Sequence, residues 1–265
     1  MNVACPIRLG VAGALGAMGS AVATAIGARE DVRLAALFDR PGSRGDARHG
    51  LDLTNVEGAL AECDVIIDFS TAAASAELAS LAAAAAGGPA LVIGSTGFSS
   101  EEEIAVRAAA VRVAIVKSGN FSLGINVLAG LVRQAAERLG PADWDIEIIE
   151  AHHRRKRDAP SGTALMLGEG AARGRRARLE DLALPPRQAI GAERPRGAIG
   201  FSSVRGGGIV GEHSVMFAAE DEIVTLSHSA RDRRLFARGA VEAAMWIAGR
   251  APGLYSMGDV LGFAD

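Results

Sequence analysis

The most constraining feature of the chain is Gly13-Ala14-Leu15-Gly16-Ala17-Met18-Gly19, three glycines at intervals of three between an apolar run, Ile7 to Val11, and a helical stretch, Ala17 to Ala28. A strand that turns through closely spaced glycines into a helix brings bare backbone and the positive helix start to one point, as a pyrophosphate requires. The same spacing occurs in turns without a ligand, but here the strand before and the helix after supply the context for phosphate binding. Gly13, Ala14, Leu15, Gly16, Ala17 and Met18 are therefore the expected cofactor loop. The next strand, Val32 to Phe38, ends at Asp39, twenty positions after Gly19. A carboxylate there would accept hydrogen bonds from the ribose hydroxyls of NADH, while Arg40 could pair with the 2′-phosphate of NADPH, so either or both cofactors stay open. Asp39-Arg40 with Pro41-Gly42 also reads as an ordinary polar turn.

The rhythm that follows supports this. Strand-like Val65 to Phe69, helical Ala72 to Ala86, strand-like Ala90 to Ile93, helical Glu101 to Ala110 and strand-like Val111 to Val116 alternate, which predicts a doubly wound parallel sheet. Ser99-Ser100 before three glutamates marks a helix start, with serine able to cap and acids to complement the dipole. Gly94-Ser95-Thr96-Gly97 and Ser118-Gly119-Asn120-Phe121 fall just past two later strands, at the carboxyl edge where such sheets bind ligands. Gly94, Ser95, Thr96, Ser118, Gly119, Asn120 and Phe121 are accordingly expected to border the nicotinamide half.

From Phe121 onward the pattern changes. Helical Leu123 to Leu139 closes at Gly140-Pro141, followed by strand-like Trp144 to Glu150, a polar loop and a helix from Ser161. After the Pro- and Gly-rich stretch Pro185 to Gly200, strand-like runs lie near Ile199 to Val204, His213 to Ala218 and Glu222 to Ser227, reading as a sheet that leans antiparallel. The last helix, Arg234 to Gly249, has an apolar face and by position could return to the first domain. The expected division is residues 1–122 with 232–265 as the dinucleotide-binding domain, and residues 123–231 for substrate binding and oligomerisation. The arginine- and proline-rich segment Arg173 to Arg196 reads as a solvated connection.

Composition excludes several classes. No apolar run reaches the roughly 18 to 20 residues that cross a bilayer, and the opening residues lead into a strand without a signal-like segment, so the expected place is the cytoplasm. Two cysteines, Cys5 and Cys63, are too few for a disulfide scaffold and have no CxxC spacing. A formal charge of −3 gives no general attraction to nucleic acid, and small anions fit better as ligands. Only two lysines occur, Lys117 and Lys156, and the second stands inside the run Arg154-Arg155-Lys156-Arg157, a hint that a compact ammonium is needed there.

That run belongs to the most informative segment, EAHHRRKRDAPSGTA, Glu150 to Ala164. Two of the five histidines, His152 and His153, stand at a strand end, where one could supply a proton while the other holds an anion. Adjacent histidines without a third ligand nearby do not suit a metal, and none is expected. Ser161-Gly162-Thr163 precedes a helix, so N–H groups and hydroxyls could receive a carboxylate, with Lys156 adding charge. In isolation this reads as a solvated basic loop with a serine cap; beside a cofactor fold it reads as a site.

The segment resembles the signature of the 4-hydroxy-tetrahydrodipicolinate reductases, E-x-H-H-x-x-K-x-D-A-P-S-G-T-A. The resemblance continues through GALGAMG, VIIDFST, VIGSTGF, SGNFSLGIN, ERPRGAIGFSSVRGGGIVGEH and the closing helix, spanning nearly the whole chain. It implies a Rossmann-type doubly wound parallel sheet completed by the C-terminal helix, a smaller α+β domain whose open mixed sheet builds a homotetramer, and NADH or NADPH as hydride donor. The implied substrate is a small dicarboxylic cyclic imine, reduced on the diaminopimelate route to lysine, with neither nucleic acid nor membrane as partner. By position the resemblance makes His152 the general acid, Lys156 a catalytic or carboxylate-binding cation, His153 a carboxylate contact, and Gly162 with Thr163 the second carboxylate site. The resemblance also implies that Arg233 supports that pocket. The chain departs from the family where an arginine often follows the second glycine of the loop and Ala17 stands instead. This removes one 2′-phosphate ligand and leads to the expectation that NADH serves at least as well as NADPH. Two other readings compete: a different two-domain nicotinamide oxidoreductase, against which the HHxxK and SGT arrangement argues, and a dinucleotide-binding sensor without turnover, against which intact His152 and Lys156 argue.

Overall fold

The computed structural model describes residues 5–40, 42–43, 49–185 and 193–263. Pro41, within the turn after Asp39, and residues 186–192 of the Pro- and Gly-rich connection lie outside the described residues. The elements run β1 Ile7–Ala12, α1 Ala17–Gly27, β2 Val32–Phe38, α2 Val56–Glu62, β3 Val65–Asp68, α3 Ala72–Ala84, β4 Ala90–Ile93, α4 Ser100–Ala109 and β5 Ala114–Lys117. They continue with α5 Leu123–Arg138, β6 Asp145–His152, α6 Gly162–Gly174, α7 Leu179–Leu182, β7 Ile199–Arg205, β8 Gly211–Ala218, β9 Ile223–Ala230, α8 Arg234–Ile247, β10 Gly253–Tyr255 and α9 Met257–Val260. The chain divides into two compact units, Met1–Leu123 with Arg234–Asp265, and Gly124–Arg233.

The first unit is a six-stranded parallel sheet in the order β10-β5-β4-β3-β1-β2. Successive strand residues point to opposite faces, and here both faces are apolar, which is why these strands read as continuous hydrophobic runs. Leu9, Val11, Val65, Ile67 and Val92 pack with Val22 and Ile26 of α1 and with Ala240, Val241 and Ile247 of α8. Ile66, Leu91, Ile93 and Ile115 face the other way, onto the alanine-rich α3 and onto Val106 of α4. The closing helix does return to this sheet, where its small residues sit among the core side chains.

Two local expectations need correction. The run Val111 to Val116 becomes a strand only at Ala114, because the N–H groups of Arg112 and Val113 still close the end of α4 on the Ala109 carbonyl, at 2.9 and 3.1 Å, and leave Val111 on the surface. Helix α2 was not anticipated; it starts where the Asn55 side chain accepts the Gly58 N–H at 2.9 Å.

The second unit is a four-stranded mixed sheet, β7-β6-β8-β9, with β6 and β7 parallel and the other pairs antiparallel. One face is covered: Ile146, Ile148, Ile199, Val215 and Phe217 pack against Ile125, Leu128 and Val132 of α5 and Leu167 and Ala171 of α6. The opposite face leaves Val204 and Ile223 exposed.

Candidate active site

Strands β1, β2 and β3 all end at one edge of the parallel sheet, where β1 takes β2 on one side and β3 on the other. This reversal of strand order is where doubly wound sheets open a crevice. A cleft of about 580 Å³ lies there, bordered by Gly13, Gly16, Phe38, Asp39, Phe69 and Thr71, with Glu77 farther along.

The loop is built from backbone. Gly13 has φ +70°, and a Cβ on it would stand 2.9 Å from the Phe69 carbonyl oxygen. A Cβ on Gly19 would collide with the Gly13 carbonyl and the Ala14 backbone, so α1 can start against the turn only with glycine there. Helices α2, α3 and α4 are each capped by a side chain, Asn55, Thr71 and Ser99, the last in a reciprocal capping box with Glu102. Helix α1 has Gly16 at its cap, no side-chain cap and no acid in its first turn. Its leading N–H groups thus keep the capacity for an anion that those three helices give to their own side chains. These features fit a dinucleotide pyrophosphate. Asp39 is fixed at the rim, its carboxylate accepting the N–H groups of Leu15 at 2.9 Å and Arg40 at 2.8 Å. Ala14 is tied through its N–H to the Phe38 carbonyl at 3.2 Å, and Arg40 is exposed.

The later loops are also at the carboxyl edge. Ser95 is buried with its hydroxyl 2.6 Å from that of Ser75, whereas Thr96 is exposed. Ser118 donates to the Asn120 carbonyl at 2.9 Å, Asn120 Oδ1 accepts from Ser122 N–H at 2.8 Å, and Gly119 between them is exposed. Phe121 is a core residue, 1% exposed and edge-on to Phe69 at 5.7 Å. Sequence reasoning left out Phe69, Thr71 and Glu77, although the end of β3 at the same edge was a usable signal.

In the second unit, β6 alternates, and its covered face runs Ile146, Ile148, Glu150, His152. Oil gives way to ionisable groups toward the strand's end. His152 Nδ1 lies 2.5 Å from Glu150 Oε2, and Arg205 from β7 grips the same carboxylate with Nη1 and Nη2 at 2.7 and 2.6 Å. The Ser161 N–H adds a third contact at 3.2 Å. Burial alone would push the Glu150 carboxyl up, but the hydrogen bonds from Arg205, His152 and Ser203 and the guanidinium charge outweigh it and hold it down at about 2. From β8, His213 stacks edge-on to His152 at 5.1 Å and places Nε2 3.1 Å from Ser161 Oγ. Burial first, then the neighbouring His152, pushes His213 down to about 4, so it is neutral near pH 7.

Ser161 caps α6, its hydroxyl accepting the Ala164 N–H at 3.1 Å. That hydroxyl faces inward to His213 and the cap, which corrects the expectation that it reaches a ligand; Gly162 is exposed and Thr163 half-buried at the helix start. Lys156 pairs with Asp158 at 2.7 Å, and its own N–H is held by the His153 carbonyl. Arg233 Nη2 approaches His153 Nε2 to 3.3 Å. Burial, then the charges of Arg155 and Arg233, lowers the His153 pKa, so the ring stays neutral amid cations. Among the described residues no group of three or more His, Cys, Asp or Glu could hold a metal ion, and no helix is long and apolar enough to cross a membrane. Glu150, Arg205 and His213 escaped the sequence reading as site residues; the alternation of β6 marks Glu150, whereas Arg205 and His213 reach it only through strand pairing.

Comparison with known proteins identifies the family. The family models described as dihydrodipicolinate reductase, N-terminus and C-terminus, match residues 7–121 and 124–261. The 4-hydroxy-tetrahydrodipicolinate reductase of Caulobacter vibrioides is 57% identical over 97% of this chain and 98% of its own. That of Rhizobium rhizogenes is 50% identical over 97% of both chains. Among solved structures, a dipicolinate-bound dihydrodipicolinate reductase from Paenisporosarcina sp. TG-14 superposes with a TM-score of 0.78 over 95% of this chain and 98% of that one, at 24% identity, a likeness of fold.

Proposed function

The chain belongs to the dihydrodipicolinate reductase family, and on that premise we propose that it reduces 4-hydroxy-tetrahydrodipicolinate, after loss of water, to tetrahydrodipicolinate with a nicotinamide cofactor. The observation that carries this reading is the coexistence of a backbone-built anion loop at Gly13–Gly19 with an acid–base cluster on β6 that continues into the basic, helix-starting segment Lys156–Thr163. The bound cofactor supplies the hydride. Gly13, Gly16 and the first amides of α1, Ala17 and Met18, hold its pyrophosphate, and Asp39 receives a ribose. The Gly94–Thr96 and Ser118–Asn120 loops border its reactive end.

For the substrate, the roles follow from charge. Gly162 and Thr163 at the start of α6 bind one carboxylate, while Lys156 and neutral His153, backed by Arg233, bind the other. His152 gives the ring the proton that balances the incoming hydride, so one hydride and one proton enter for each molecule of water lost. Asp39 and Glu77 both border the cleft with Arg40 as the cation beside them, and Ala17 brings none, so a 2′-phosphate finds more negative than positive partners. NADH is therefore used at least as well as NADPH; a preference for NADPH above about tenfold, some 1.4 kcal/mol, would overturn this. The uncovered face of the mixed sheet, with Val204 and Ile223 exposed, supports assembly into a homotetramer. Two free cysteines, one buried, are in keeping with the cytoplasm.

The test is substrate-dependent oxidation of NADH and NADPH, in parallel, with the freshly formed condensation product of pyruvate and aspartate semialdehyde. Rapid loss of absorbance in the wild type, collapsing in His152→Gln and Lys156→Ala, is expected. Tight cofactor binding without oxidation of either cofactor would move the chain to another substrate or to a sensor role.

A further inference from the structure

We infer that Glu150 is a positioning residue for proton transfer, holding the His152 ring through Nδ1 so that Nε2 is the atom that gains and gives the proton. The inference rests on the reductase reading only for what the proton is given to; the geometry stands by itself.

Glu150 and His152 lie two residues apart on the covered face of β6, the spacing that lets side chains of one strand meet. The carboxylate cannot swing away. Arg205 holds both its oxygens and is itself anchored by donating to the Asp158 carbonyl at 2.7 Å, and the Ser161 N–H fixes Oε1 from the start of α6. Such a carboxylate, ionised and doubly gripped by a guanidinium, carries no proton of its own. The 2.5 Å contact therefore requires the hydrogen on His152 Nδ1, whether the ring is neutral or protonated. A neutral ring is then the Nδ1–H tautomer, and every proton gained or lost passes through Nε2.

The other side of the ring is arranged to match. A Cβ on Gly211 of β8 would stand 3.1 Å from His152 Nε2, so glycine leaves that nitrogen uncrowded. The ring meets Glu150 from its own strand at 2.5 Å and His213 from β8 at 5.1 Å; Arg205 from β7 is joined to it through the carboxylate, and the Lys156–Asp158 ion pair follows in the next loop. Of these, His213 is uncharged near neutral pH, so the nearest charge is the carboxylate. Ser161 couples the cluster to the helix start: its N–H meets Glu150, its hydroxyl meets His213 and caps α6. The group that orients the acid is thereby joined to the helix end proposed to hold a substrate carboxylate.

The experiment pairs kinetics with ¹⁵N NMR of histidine-labelled protein. In the wild type at alkaline pH, His152 is expected to show the Nδ1–H tautomer; an Nε2–H signal would overturn the inference whatever the substrate is. Glu150→Gln is expected to lower kcat by about 100-fold with KM changed less than about twofold, and Glu150→Asp to recover part of that loss. An unchanged kcat in folded Glu150→Gln would also overturn it. Should the single variant fail to fold because Arg205 is left unpaired, Glu150→Gln/Arg205→Met removes the orphan charge and is read in its place. Absence of substrate-dependent oxidation in the wild type would instead defeat the reductase reading and leave the tautomer measurement to decide this one.

Discussion

The cofactor cleft and the acid–base cluster solve binding by different means. The cleft in the parallel-sheet unit is made of main chain: a positive-φ glycine, an uncapped helix start and a carboxylate pinned by two backbone N–H groups. The cluster in the mixed-sheet unit is made of side chains that hold one another, Arg205 to Glu150 to His152, with His213 and Ser161 beside them. A backbone site is broken by adding atoms, while side-chain changes at its rim tune it. A side-chain site is broken by removing a single charge, even when its shape is kept.

Substitutions sharpen this contrast, beginning with the largest effect. His152→Gln keeps size and polarity but cannot donate as an acid, and kcat is expected to fall by roughly 100- to 10,000-fold, measured by cofactor oxidation at saturating substrate. Gly19→Ala adds one methyl group where the Gly13 carbonyl and the Ala14 backbone already stand, and cofactor affinity, followed by NADH fluorescence, is expected to weaken by about 100-fold. Equal loss of cofactor affinity on removing Asp39 would break the comparison.

Glu150 is held well below its ordinary 4.5, and His213, pushed below its ordinary 6.5, must take up a charge on acidification. For both, the unfolded state binds protons more tightly, so the stability they contribute is lost as pH falls, first through His213 between 6.5 and about 4, then through Glu150 toward about 2. In the other unit, burial pushes the Asp68 carboxyl at the end of β3 up, so the contribution of this group to stability grows on acidification. Amide exchange, corrected for its intrinsic rate, is expected to show opening of β6 and β8 rising by roughly 30-fold from pH 8 to pH 5, while β3 does not follow. Parallel changes in both units would remove the contrast. The smallest effect is Asp39→Ala, expected to raise the KM for NADH by about tenfold, the worth of one hydrogen bond to a charged group, and to shift the cofactor ratio toward NADPH.

The same contrast governs what could be read from the chain. A backbone site has a local signature, so Gly13, Gly16, Gly19 and Asp39 stood out, as did the alternation of strands and helices around them. His152 and Lys156 were legible because one contiguous segment carries them. Arg205 and His213 were not, since pairing of β7 and β8 with β6 brings them to Glu150 and Ser161 from more than fifty residues away. Val111 misled because apolar residues at a helix end and at a strand start look alike until the carbonyl of Ala109 is seen to hold the turn.

The most direct measurement is NADH affinity of His152→Gln beside the wild type. Equal dissociation constants with turnover lost in the variant are expected, since the cleft is built from other residues and its own backbone. Cofactor binding that falls in step with turnover would contradict the assignment of His152 to proton transfer.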